Sequence, residues 1–147
     1  MCSSPASDDE EVREGVRVLR EGGLVAYPTD TVYGLGCDAF KTSAVDRVYS
    51  LKRREKKNPF PLLVSSVSEA FGMASLVSDD ARLLMDRFWP GGLTIILHAS
   101  ASLPAHLRTS EGTVAVRVPD HSVALALIRG LGRPLVGTSA NISGANG

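Results

Sequence analysis

Val12, Val16 and Leu19 recur at three- and four-residue spacing after an acidic start, a pattern that predicts a helix burying one face. Asp8 or Asp9 is placed to cap it, and Gly22-Gly23 to stop it. Leu24 to Tyr27 is a short unbroken apolar run, read as a strand covered on both faces. A second helix is predicted from about Ser43 to Leu51, with Ala44, Val48 and Leu51 inward. Phe60 to Ser65 reads as the next strand and Ser68 to Leu76 as a weaker helix. Ser78 caps "DDARLLMDRFW", in which Ala81, Leu84, Met85 and Phe88 form one stripe expected to face the core; Trp89-Pro90-Gly91-Gly92 ends it. Leu93 to Ala99 and Thr113 to Val118 read as strands, Ser122 to Leu131 as a helix, and Pro134 to Thr138 as a last strand. Helices alternating with short buried strands predict an α/β domain. The helix-free strand pair makes the sheet mixed.

Composition narrows the class without naming a chemistry. At 147 residues and 44% hydrophobic content the chain is sized for one domain spanning 1–147, with residues 1–8 expected to be disordered. No run approaches the roughly 18 to 20 apolar residues of a membrane span. The small, acidic opening is unlike a signal peptide, so a cytoplasmic location is expected. Sixteen basic residues balance sixteen acidic ones, which leaves no bulk attraction to nucleic acid but does not forbid a local basic face. Cys2 and Cys37 form no CxxC pair and read as reduced thiols. His98, His106 and His121 follow no metal-ligand spacing and read as surface or edge residues; no metal site is expected.

Three polar clusters fall at predicted strand ends. In "YPTDTVYGLGCDA", Thr29 and Thr31 are two apart and share a side in an extended segment, while Gly34 and Gly36 allow close backbone approach or positive φ. A polar turn would account for this cluster equally well. "GLGCDA" also fits G-x-G-x-x-A, but a dinucleotide fingerprint sits directly between strand and helix, and here PTDTVY intervenes. A Walker A loop is absent. The second cluster is "LKRREKKNP", with six charged residues in nine. A solvated helix face is the ordinary reading. If the helix has ended by Asn58-Pro59 and the segment is extended, Lys52 and Arg54 converge into an anion clamp. The third is "VGTSANISG", where Ser139 and Asn141, again two apart, stand past a strand with Thr138. They offer neutral donors to phosphate, base or carboxylate, or form an ordinary turn. Arg117, flanked by Val116 and Val118, faces away from both, into water or onto a ligand carboxylate.

Taken together, "YPTDTVYGLGCDA", "LKRR", "RFWPGGLTIIL", "VAVRVPDH" and "PLVGTSANISG" resemble, in order, the YrdC-type family, the threonylcarbamoyl-AMP synthases of tRNA modification. The resemblance implies a twisted YrdC/RibB-like α/β fold with an open, positively lined cavity. It also implies formation of threonylcarbamoyl-AMP and pyrophosphate from L-threonine, bicarbonate and ATP for t6A37 modification of tRNA. A separate transferase complex would use the product, Mg²⁺ would arrive with ATP, and affinity for double-stranded RNA is a family trait. The family's K-x-R and S-x-N pairs fall on Lys52, Arg54, Ser139 and Asn141. The implied site comprises Lys52 and Arg54 as catalytic residues, and Thr29, Thr31, Asn58, Arg117, Thr138, Ser139 and Asn141 as substrate and ATP ligands. Asp30 could reach the metal through water, and Cys37 reads as packing. Two departures stand out. "FPLLVS" puts Ser65 where many relatives have a His, and the strand and later Arg that follow the S-x-N loop in relatives have no counterpart before Gly147. The rival readings are a carbamoyl-transfer module of the hydrogenase-maturation type and a non-catalytic double-stranded RNA- or nucleotide-binding module.

Overall fold

The computed structural model describes residues 5–28, 33–53 and 60–139. Five helices, α1 (Pro5–Arg20), α2 (Thr42–Lys52), α3 (Val67–Met73), α4 (Asp79–Phe88) and α5 (Ser122–Leu131), flank one sheet. Its strands are β1 (Val25–Pro28), β2 (Tyr33–Asp38), β3 (Leu62–Leu63), β4 (Ala74–Leu76), β5 (Ile95–Ala99), β6 (Thr113–Arg117) and β7 (Leu135–Ser139). The order across the sheet is β1-β2-β7-β3-β6-β5-β4. Only β3 and β6 run parallel, so the sheet is mixed as expected. The last strand of the chain is thus inserted between β2 and β3, antiparallel to both.

Strand alternation sends side chains to two cores. On one face Leu62, Val64, Val114, Val116 and Val136 pack with Ala44, Val45 and Val48 of α2 and Met85 of α4. On the other, Tyr27, Leu63 and Leu135 pack with Val16 and Leu19 of α1 and Leu127 and Ile128 of α5. Each fully buried aliphatic side chain contributes about 1.5–3 kcal/mol. Ser78 accepts from the Ala81 amide at the start of α4, as the sequence predicts. His121 caps α5 through Nδ1, and His106 Nε2 pairs with the Ala39 carbonyl at 2.8 Å.

Several expectations need correction. Helix α1 starts at Pro5, so residues 5–8, expected to be disordered, have helical backbone; residues 1–4 lie outside the described residues. Strand β1 is an edge strand with Ala26 exposed, not a strand covered on both faces. "YGLGCD", part of the cluster that a polar turn would have explained equally well, is strand β2. The helix expected to Leu76 stops at Met73, where Ala74 turns extended (φ −112°, ψ 148°) and β4 begins along β5. Along α4 only Met85 of the expected stripe is fully buried, while Leu84 and Phe88 are 40% and 52% exposed. The core reaches that helix along a narrow line, and Trp89, whose Nε1 donates to the Leu93 carbonyl at 2.7 Å, fills the space beyond it.

The middle of the sheet is tightest at Gly137 of β7. A Cβ there would meet Leu63 Cδ1 at 2.5 Å and the Tyr27 hydroxyl oxygen at 3.0 Å. Gly137→Ala is expected to cost about 1–3 kcal/mol in urea unfolding. Pairing it with Leu63→Ala should cost less than the sum of the two, because the deleted side chain is what the new methyl strikes.

Candidate functional site

The pairing register brings the three polar clusters to one end of the sheet. The end of β1 and the start of β2 meet as Pro28 opposite Tyr33, so the segment carrying Thr29 and Thr31 departs and returns there. Gly34 of β2 pairs with Ser139, placing the end of β7 beside them. Because β3 is antiparallel to β7, its start lies at the same end, and the amide of Gly137 donates to the carbonyl of Pro61. The C-terminus of α2 completes the group.

Helix α2 buries Ala44, Val45, Val48 and Tyr49, and Lys52, four residues after Val48, continues that buried line. Its side chain is only 4% exposed. The ammonium donates to the Ser139 carbonyl at 3.1 Å and to its hydroxyl at 3.4 Å. A cation in the last turn also opposes the negative end of the helix dipole. Arg53 then adopts the left-handed conformation (φ 53°, ψ 41°) and ends the helix. For a residue other than glycine this costs about 1–2 kcal/mol, so the chain direction after Lys52 is sharply redefined at that point. The extended-segment account of the K-x-R pair is therefore corrected for its first member: Lys52 is helical, and it points to the site from the last turn. Arg54 and Asn58 lie outside the described residues, as do Thr29, Asp30, Thr31 and Asn141.

Thr138 is half-buried and pairs with Leu35. Arg117 is half-buried at the end of β6, and its Nε donates to the Gly91 carbonyl at 2.6 Å. It is level with Leu63 and, through it, with Leu135, four residues before Ser139 and two strands away. At about 3.3 Å per residue and 4.8 Å per strand, the Cα atoms of Arg117 and Ser139 are roughly 16 Å apart. Arg117 shares the sheet face of Leu63, at the other end of it. Ser65, buried just past β3, donates its hydroxyl to the Glu69 carboxylate. It lies toward Arg117, since the next residue back, Val64, donates its amide to the Arg117 carbonyl.

Sequence reasoning missed Tyr27. Its ring lies across β2 so closely that a Cβ on Gly34 would meet it at 2.8 Å and one on Gly36 at 2.9 Å. Gly34 and Gly36 thus serve close approach, not positive φ. The signal was available in the alternation of glycines within "YGLGCD" and the glycine of "LVGTS". Cys37, facing the opposite core, is fully buried, and burial with Asp38 alongside pushes its thiol up to about 12. It is packing, as expected. Among the described residues no group of three or more His, Cys, Asp or Glu is gathered that could hold a metal, and no helix is long and apolar enough to cross a membrane.

In class this is a mixed-sheet α/β domain with a lysine seated on the end of a central strand. The Sua5/YciO/YrdC family model, described by the words "telomere recombination", matches residues 17–147. The chain belongs to that family. It is 41% identical over 140 residues to a threonylcarbamoyl-AMP synthase of Bacillus subtilis (strain 168), covering 95% of this chain and 40% of the relative. The structure of Pyrococcus abyssi Sua5 complexed with L-threonine matches with a TM-score of 0.86 at 41% identity, over 92% of this chain and 40% of that one. Escherichia coli YciO matches with a TM-score of 0.84 at 31% identity, over 92% and 66%. The chain therefore spans about two fifths of the length of the first of these relatives.

The Cys37 thiol gives a pH signature. An unfolded thiol ionises near pH 9, whereas the buried one stays protonated to about 12. Unfolding between these values releases a proton, so this contribution is complete below pH 9 and is lost as pH rises, by up to about 1.4 kcal/mol per pH unit. Urea unfolding at pH 8, 9 and 10 should show a shallower alkaline decline for Cys37→Ala than for the parent.

Proposed function

We propose that this chain forms threonylcarbamoyl-AMP and pyrophosphate from L-threonine, bicarbonate and ATP. The observation that carries this reading is the Lys52 ammonium seated on Ser139 at the sheet end where the three polar segments depart. The names of the relatives supply the reaction.

The threonine amine and bicarbonate condense to a carbamate with loss of water. A carbamate oxygen then attacks the α-phosphorus of ATP, and pyrophosphate leaves with the electron pair of the broken P–O bond. Such chemistry is driven by positioning and charge neutralisation and requires no protein nucleophile. Lys52 and Arg54 hold the phosphates and the carbamate. Thr138, Ser139, Asn141 and Asn58 bind phosphate and fix the nucleotide. Thr29 and Thr31 hold the threonine or its carbamate, and Arg117 pairs with the threonine carboxylate. The roughly 16 Å between Ser139 and Arg117 suits a ligand with a phosphate at one end and an amino-acid carboxylate at the other. Mg²⁺ would arrive with ATP, as part of the substrate, and would supply neutralisation of phosphate charge. A cation about 4 Å from a phosphate gains about 1 kcal/mol in water and about 4 kcal/mol at an effective dielectric of 20, so partial burial of Lys52 multiplies its effect. In a cell the product would pass to a tRNA-modifying transferase complex; RNA contact and a cytoplasmic setting belong to the same reading.

Mass spectrometry of the full chain incubated with ATP, threonine and bicarbonate is expected to show the threonylcarbamoyl adenylate, and omission of any one component should abolish it. Pyrophosphate exchange indifferent to threonine or bicarbonate would overturn the reading. Steeply salt-dependent RNA binding without any adenylate would replace it with a binding module. Lys52→Met keeps the apolar stem packed and removes the ammonium. Its adenylate yield is expected to fall by about 100-fold or more, with circular dichroism unchanged.

A further inference from the structure

The Tyr27 side chain crosses the sheet on the face that joins the two ends of the site. Tyr27 pairs with Gly34, and its ring extends over Gly34 and Gly36 of β2 to reach β7. There its hydroxyl oxygen would lie 3.0 Å from a Cβ on Gly137, between Leu135 and Ser139 on the same face of the strand. The next side chain across is Leu63, which also converges on Gly137, and the one after that is Arg117. Three glycines thus clear a path for a phenol whose tip lies over Gly137, between the row of Ser139 and the row of Leu135, Leu63 and Arg117. The residue is 2% exposed, and its hydroxyl has no hydrogen-bond partner among the described residues without being fully enclosed, since the fully buried unpaired side-chain atom among them is Arg108 Nε. A phenol hydroxyl that is not fully enclosed and donates to no protein group is available to a ligand. A phenylalanine ring would fill the same trough and offer no donor.

We infer that the Tyr27 hydroxyl is a neutral hydrogen-bond donor of the ligand site, shared with Arg117, that contacts the anionic carboxylate end of a bound amino acid. This rests on the proposed function and adds to it a contact for the amino-acid part. Burial keeps the phenol protonated far above neutral pH, and the Arg117 charge, which favours the phenolate, only partly offsets that. The group is therefore a donor at every working pH. Donation to an anion is stronger than donation to a neutral acceptor, and the adjacent guanidinium supplies the charge that a phenol cannot.

Calorimetric titration of the full chain with L-threonine and, separately, with MgATP tests this. Tyr27→Phe retains the ring in its trough, so its melting temperature should remain within about 2 °C of the parent. Its affinity for L-threonine is expected to fall about tenfold, the value of one hydrogen bond to a charged group. Its affinity for MgATP should stay within about twofold. Unchanged threonine affinity in Tyr27→Phe, or an equal loss for both ligands, would overturn the inference and leave the proposed function standing. A parent chain that binds MgATP but no L-threonine would overturn both.

Discussion

The contact on which the site depends is the Lys52 ammonium resting on the end of β7. Moving an ammonium out of water carries a penalty of several kcal/mol unless donors and acceptors are matched. The Ser139 carbonyl and hydroxyl provide acceptors, and the C-terminal end of α2 provides a favourable field. Both partners are then fixed. The helix cannot rotate without exposing Val48, and the strand cannot slip without breaking its pairing with β2 on one side and β3 on the other. The position of this cation is therefore set by the fold itself. Under the proposed function, preorganised charge of this kind would avoid reorganisation at the moment of reaction.

The same logic explains the placement of the glycines. Strands are ordinarily poor in glycine because it packs nothing and loses the most entropy on ordering. Here Gly34, Gly36 and Gly137 pack the ring of Tyr27, which supplies from β1 the side-chain volume that β2 and β7 lack on that face. Over Gly137 the space is filled by Leu63 and by the hydroxyl end of Tyr27, side chains lent by neighbouring strands. A side chain at Gly137 would collide with both.

What could be read directly from the chain, and what could not, follows from where the information resides. α1, α5 and β7 were legible to within a few residues, because their apolar periodicity and their stops are local. Strand β2 was not legible as a strand. Its glycines lower every local preference for one, and the tyrosine that justifies them sits in another strand. The apolar stripe of α4 was a true periodicity with a false implication, since Leu84 and Phe88 face outward over a core that reaches only Met85. Lys52 was singled out by reasoning about an extended segment, whereas it is the helical continuation of Val48 that brings it to Ser139. For Arg117, pattern alone made water the default. Register places it half-buried on the face of Tyr27, anchored to the Gly91 carbonyl.

A chain whose basic and acidic residues balance is, at first sight, a poor host for polyanions. Net charge, however, governs long-range attraction, and at physiological salt charges beyond about 8 Å are largely screened. Elsewhere on the surface, arginines are balanced locally: Arg17 is engaged by Glu14 and Glu21, and Arg133 by the buried Asp38. Lys52 meets on Ser139 a neutral carbonyl and a hydroxyl, which orient the ammonium. Acceptors of this kind hold a cation in place without themselves carrying charge. A balanced overall composition and a cation fixed at one end of the sheet are thus compatible, the first set by the count of charges and the second by what each one touches.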